Sequence, residues 1–208
     1  MHRNALALLA ALSGCAEDLN PGTATDAGNG PPPIDGMVSA DGRYVTVTDL
    51  GGGVRQAVIN ATRSDAWVDL DLDTGAETST GWDLSLQRFK LRSNGGDSGS
   101  GGVSVAALPG ASFESVTRAP TDGYVTDRPD GDDANTDPDT AFNVGDGWYA
   151  YDGMFHTLTP RDITWVVRST EGRYYRVRVD RYYDAAGTSG YVTLRWAAVE
   201  APASRGGG

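Results

Sequence analysis

The sequence predicts an all-β domain of antiparallel strands, and three observations carry that prediction. Apolar and polar residues alternate with a period of two along most of the chain. Clusters of Gly, Asp, Asn and Ser break the alternating runs at short intervals. No stretch sustains a helical period; the best short-helix candidate, "ASFESVTR", is long enough for about two turns.

The strands follow in order. "RYVTVT" puts Val45 and Val47 on one face. "AWVDLDL" sets Ala66, Val68, Leu70 and Leu72 against Trp67, Asp69 and Asp71. "WDLSLQRFKL" begins with Trp82, Leu84 and Leu86 in phase, then shifts to Phe89 and Leu91. A one-residue phase slip predicts a β-bulge near Gln87-Arg88. The C-terminal part reads most clearly. "ITWVVR" aligns Ile163, Trp165 and Val167, "YYRVRV" aligns Tyr175, Val177 and Val179, and "YVTLRW" aligns Val192, Leu194 and Trp196. The turns "STEG" and "DAAGTSG" join them into a three-strand antiparallel meander with one buried face per strand.

The N-terminus predicts export. "MHRN" carries one Arg, "ALALLAAL" is too short to span a bilayer, and Leu12-Ser13-Gly14-Cys15 has the small residues and Cys of a lipoprotein cleavage site. Residues 1–14 are then a signal peptide and Cys15 the lipidated first residue of the mature chain. Cys15 is the sole cysteine, so no intramolecular disulfide can form. Residues 15–40, rich in Pro, Gly, Thr and Asp, read as the lipidated Cys and a flexible tether. Residues 41–199 form one β domain, and residues 200–208 a disordered tail. The expected location is the cell envelope, as an outer-membrane lipoprotein facing the periplasm or the surface.

The formal net charge is −11. Removing residues 1–14 lowers the basic count from 17 to 16 against 28 acids, so the mature chain carries about −12. Such a surface does not suit nucleic acid or a polybasic membrane patch.

Several constellations suggest chemistry. Gly96-Asp97-Ser98-Gly99 resembles the nucleophile loop of chymotrypsin-like proteases, but the only mature histidine, His156, lies downstream of Ser98. "SNGGDSGSGG" therefore reads as a flexible turn. The acidic loop "TDRPDGDDANTDPDT" crowds oxygen ligands, with Asp130, Asp132, Asp137 and Asp139 as candidates for Ca²⁺, although EF-hand spacing fails. One His and no unmodified Cys do not make a zinc hydrolase, and no carboxylate pair stands out for acid–base work, so the chain reads as no enzyme. In "WYAYDGMFHTLTP", Trp148, Tyr149, Tyr151 and Phe155 surround Met154 and His156. Aromatic walls with one or two soft ligands are what a haem pocket requires, while a lone His and Met among aromatics are also ordinary core residues. Two residues apart in a strand, Met154 and His156 can meet one iron only if the chain turns at Phe155.

The order and spacing of these segments resemble the HmuY family of haem-binding lipoproteins. The resemblance runs from about Val45 to Val199 and rests on "AWVDLDLDTG", on Trp82-Asp83-Leu84 with Arg92-Ser93-Asn94-Gly95-Gly96, and on the C-terminal meander. Its most specific part is Val167-Arg168, Glu171-Gly172-Arg173-Tyr174-Tyr175 and Tyr182-Tyr183. It implies an all-β, HmuY-like fold and a non-catalytic haem binder in iron acquisition. It also implies an outer-membrane haem receptor as partner and side-chain ligands to haem at an apolar slot, with His156 and Met154 as the axial-ligand candidates and five-coordinate iron, water or a second subunit's His156 as the alternatives. Arg161, Arg168 and Lys90 are candidates to pair with the propionates. The alternative is a surface interaction module that kept the fold and lost haem.

Overall fold

The computed structural model describes residues 43–129, 131 and 139–204. Cys15, and Asp130, Asp132 and Asp137 of the acidic loop, lie outside the described residues.

Twelve strands make up the described chain: β1 (Val45–Gly51), β2 (Val54–Asn60), β3 (Val68–Asp71), β4 (Ala76–Glu77), β5 (Leu84–Gln87), β6 (Lys90–Ser93), β7 (Ser104–Pro109), β8 (Tyr149–Asp152), β9 (Thr157–Pro160), β10 (Ile163–Arg168), β11 (Tyr174–Tyr183) and β12 (Ser189–Ala198). Named strand pairings are antiparallel throughout. Six strands form one sheet in the order β1-β2-β12-β11-β10-β7, four a second in the order β4-β3-β5-β6, and β8-β9 stand apart as a hairpin. The predicted meander is β10-β11-β12 at the heart of the large sheet. The predicted helix is a single 3-10 turn, Phe113–Ser115, capped by the Ser112 side chain.

The alternating residues close one core between the two sheets. Val68, Leu70, Leu72, Leu84, Leu86 and Leu91 from the small sheet pack with Ile59, Trp165, Val177, Leu194 and Trp196 from the large one. Polar ties cross the same gap. The Trp196 indole donates to the Leu72 carbonyl at 3.0 Å and the Tyr175 hydroxyl to Asp73 at 2.7 Å. On the opposite face of the large sheet, Val166 packs with Val116 and Ala119 in a smaller cluster. "ITWVVR" is therefore buried on both faces.

Two expectations change. The phase slip at Gln87-Arg88 is a hairpin turn instead of a bulge: Leu86 pairs with Leu91 and Gln87 with Lys90, leaving Arg88 and Phe89 at the tip. Arg88 takes φ 53°, a conformation normally left to Gly or Asn. The Gly/Ser loop, read as flexible, is instead tightly packed. A Cβ on Gly95 would fall 1.9 Å from the Val103 carbonyl oxygen, and one on Gly99 2.1 Å from Asn94 Oδ1. Glu200, placed in the tail by sequence, bonds to both Thr117 and Ala119 through its backbone.

Candidate functional site

The β8–β9 hairpin carries most of the residues singled out as ligands. Its base is anchored from three sides. The Trp148 indole donates to the Phe89 carbonyl at 3.1 Å, the Arg161 N–H to the Trp148 carbonyl at 2.8 Å, and the Leu158 N–H to the Tyr183 hydroxyl at 2.9 Å. Leu158, facing Tyr151 across the pair, points into the core. The hairpin thus grows from a fixed root and ends in an exposed turn, Gly153 to His156.

That turn is ordered by its own sequence. Asp152 Oδ1 accepts the N–H groups of Met154 at 2.8 Å and Phe155 at 3.1 Å, an Asx turn that bends the chain just past β8. Four-residue hairpin loops of this sort build on a type I turn. His156 closes it at φ 54°, in the left-handed region. Histidine enters that region more readily than most residues, yet a non-glycine there still costs of order 1 kcal/mol. The condition set by sequence, a turn at Phe155, is met.

The six predicted residues divide between root and tip. Trp148 is 1 % exposed and belongs to the core, not to a wall around an accessible ligand. Tyr149 is half-buried, stacked edge-on against Trp148 and Phe89, and burial pushes its hydroxyl pKa up. Tyr151, Phe155 and Met154 are exposed at the tip, by 60 %, 63 % and 80 %. His156 is exposed beside them, and its Nδ1 lies 2.6 Å from the Tyr151 hydroxyl oxygen. In place of the expected slot there is an exposed tip, with the imidazole and phenol in contact and the Met154 side chain exposed on the same turn.

Sequence reasoning missed the neighbours of the root. Phe89, exposed on the β5–β6 turn, extends the apolar surface beside Tyr149. Tyr182 and Tyr183 stack edge-on at 5.0 Å behind the hairpin. Phe89 falling out of phase with Leu86 was the available signal. Of the cations, Arg161 lies at the root, with Nε donating to the carbonyls of Asp146 and Tyr149. Lys90 follows Phe89 at the neighbouring turn, whereas Arg168 ends β10 at the strand end remote from the hairpin.

The acidic residues do other work. Asp139, the one calcium candidate described, is exposed and pairs through its backbone with Arg128. Asp127 of the same loop is buried and structural, accepting from the Ser93 N–H and hydroxyl and from the Ala141 N–H. Among the described residues Asp71, Asp73 and Asp83 also gather, with ligand atoms within 4.8 Å of one another. Nearly all of their oxygens already serve this chain. Asp71 holds the turn at Asp73-Thr74, Asp73 takes Tyr175 and Arg173, and Asp83 takes the N–H groups of Leu72 and Thr170. Burial raises the Asp83 pKa to about 6 despite those two bonds.

The described chain is thus an all-β protein of two antiparallel sheets with a hairpin set apart from both. The chain belongs to the HmuY family, whose profile, described as HmuY protein, matches residues 63–196. Solved structures agree on the fold. A candidate lipoprotein from Bacteroides fragilis is 20% identical with a TM-score of 0.57, covering 76% of this chain and 96% of that one. A candidate HmuY-like haem-binding protein from Bacteroides vulgatus is 19% identical with a TM-score of 0.56, covering 74% and 97%. The apo form of the Tannerella forsythia HmuY analogue is 15% identical with a TM-score of 0.52, covering 76% and 97%. No sequence among curated proteins matches.

Proposed function

We propose that the protein is a membrane-anchored, non-catalytic haem-binding lipoprotein of haem and iron acquisition. It would take haem at the tip of the β8–β9 hairpin and pass it to an outer-membrane receptor. The observation that carries this reading is the donor set. Imidazole, thioether and phenol are the side chains other than thiolate that hold haem iron, and the hairpin exposes one of each. Met154, Phe155 and Tyr151 add apolar surface, which a large flat ring would cover. Arg161 at the hairpin root and Lys90 beside Phe89 are the candidates to meet propionates by charge-assisted bonds. Bound haem would supply an iron centre, and the hairpin would supply a side-chain donor, apolar cover and a fixed root. The domain of residues 41–199 would hang from lipid on Cys15.

Titration of the full-length protein with haemin tests this. A sharpened Soret band saturating near one equivalent is expected, weakened in His156→Ala. A wild-type spectrum no different from that of an unrelated apolar protein sinks the haem reading and leaves a protein-interaction role for the same exposed tip. Mass spectrometry of the membrane fraction reports the anchor, which an unmodified Cys15 would remove.

A further inference from the structure

We infer that one end of the domain docks on a lipid bilayer, with Phe89, Tyr151, Met154 and Phe155 entering the interface between head groups and acyl chains. The inference rests on the reading of Cys15 as lipidated. It concerns the haem-free protein, because haem and lipid would cover the same side chains.

The strand register gathers these residues at one end of the large sheet. Val45 pairs with Ile59 and Ile59 with Val192, so β1 begins beside the start of β12. The Asn60 N–H bonds to the Tyr44 carbonyl, and Asn60 pairs with Tyr191. Tyr183, the last residue of β11, pairs with Ser189, the first of β12, at this same end. β9 lies against β11, and the Tyr183 hydroxyl holds the Leu158 N–H there. The Arg88-Phe89 turn joins them through the Arg88 N–H, which donates to the Ala61 carbonyl just past β2. Phe89 in turn meets Tyr149 of the hairpin, with 6.0 Å between ring centres. The chain that leads from Cys15 therefore enters the domain, at Tyr44, at the end that carries the hairpin. Ala198, opposite Tyr175, and the turn between β10 and β11 mark the far end.

Exposure and polar pairing select lipid as the occupant. Among the described residues seven large apolar or aromatic side chains are exposed, and these are four of them. Scattered exposure needs no explanation, whereas a concentration where the anchoring segment arrives does. The polar atoms of the tip are largely engaged from within. Asp152 Oδ1 takes the N–H groups of Met154 and Phe155, and the Tyr151 hydroxyl oxygen lies 2.6 Å from His156 Nδ1. Such a surface suits a partner that returns few hydrogen bonds. A tyrosine, with an apolar body and a polar end, fits the depth of the head groups. The formal charge of −11 gives the chain no general attraction to anionic lipid, so the contact is apolar and insensitive to salt. Four side chains are enough because the anchor makes the contact intramolecular.

The test uses the full-length, lipidated, haem-free protein inserted into preformed phosphatidylcholine vesicles. Lipidation of Cys15 leaves no other thiol, so Gly153→Cys gives a single site for a polarity-sensitive dye at the tip. A Cβ at Gly153 meets nothing within 4 Å, and all four inserting side chains stay in place. Glu171→Cys, exposed in the turn between β10 and β11, is the control at the far end. The tip dye should shift to shorter wavelength in vesicles and escape quenching by external iodide, at low and high salt alike. The Glu171 dye should do neither, and adding Phe155→Asp should abolish the tip shift. The inference is overturned if the tip dye stays as open to iodide as the Glu171 dye, or if its shift survives Phe155→Asp. Shielding of the tip in concentrated, vesicle-free Cys15→Ser protein overturns it as well, since a second copy then covers the surface. Mass spectrometry of the same sample keeps the two readings apart. An unlipidated Cys15 removes the anchor and this inference with it; a lipidated Cys15 with an open tip removes the inference alone. Circular dichroism of each variant checks that the fold is kept.

Discussion

Asp83 is fully buried, yet both of its oxygens accept backbone N–H groups, from Leu72 at 2.9 Å and Thr170 at 2.7 Å. It clamps the small sheet to the turn between β10 and β11. Desolvation outweighs those two bonds and lifts its pKa from the ordinary 3.8 to about 6. The raised value fixes the sign of the pH dependence. Between pH 4 and 6 the folded chain holds this proton and the unfolded chain does not. Asp83's contribution to stability is therefore fullest below that window and falls as pH rises through it, by at most about 3 kcal/mol. Asp83→Asn removes the ionisation and sets one amide hydrogen against a backbone N–H, a cost that does not vary with pH. Unfolding of wild type and variant in urea from pH 4 to 7 should show the wild-type advantage shrinking as pH rises. A constant difference would mean that Asp83 does not titrate in this range. Little of this is visible in the sequence, where Trp82-Asp83-Leu84 reads only as the start of a strand. Only the approach of Thr170, far along the chain, makes it a buried clamp.

At the level of elements, the strands were legible and the turns were not. The period of two placed Val68, Leu70, Leu72, Trp165, Val177 and Leu194 in the core correctly, because one buried face imposes strict alternation. The Arg88-Phe89 turn escaped because it lacks the Gly or Asn that usually announces two-residue hairpins. Asp152-Gly153 was a usable signal for the hairpin tip, since an Asp just before a Gly favours an Asx turn. The paired placement of Tyr151 and His156 depends on that tip and could not be read without it. The glycine loop was misjudged for another reason, since sequence does not distinguish a glycine kept for mobility from one kept for close approach. Gly95 takes a φ open to any residue, so strain is not the issue there; contact is. Gly95→Ala would set a methyl 1.9 Å from the Val103 carbonyl oxygen, which is itself backbone and cannot swing aside. A loss of more than about 3 kcal/mol is expected, larger than typical point changes. Gly53→Ala, where a Cβ meets nothing within 4 Å, should lose less, through its positive φ alone. Chemical denaturation of the two variants checks this ordering, and equal losses would contradict the packed reading of the loop.

The whole molecule depends on its last strand. β12 lies between β2 and β11 and joins the N-terminal pair β1-β2 to the rest of the large sheet. It pairs with β2 over seven residues, from Tyr191 with Asn60 to Ala197 with Val54, and with β11 along its other edge. Val192, Leu194 and Trp196 from it are all in the core, and the Trp196 indole reaches across to Leu72 of the second sheet. Among the described residues no local pairing substitutes for it, since β1 and β2 have no other partner in the large sheet. An isolated two-stranded hairpin is marginally stable at best in water. Ending the chain at Thr188 therefore does more than trim an edge: it removes the sheet's bridge and opens the main core to water. The expected product has no cooperative unfolding transition, and proteases cut it throughout. Ending the chain at Ser204 keeps β12 and the Glu200 bonds to Thr117 and Ala119, and should leave the midpoint within a degree or two of the full chain. Limited proteolysis with thermal denaturation separates the two truncations. A folded, cooperative product ending at Thr188 would show that the N-terminal hairpin and the β10-β11 half cohere without the strand between them.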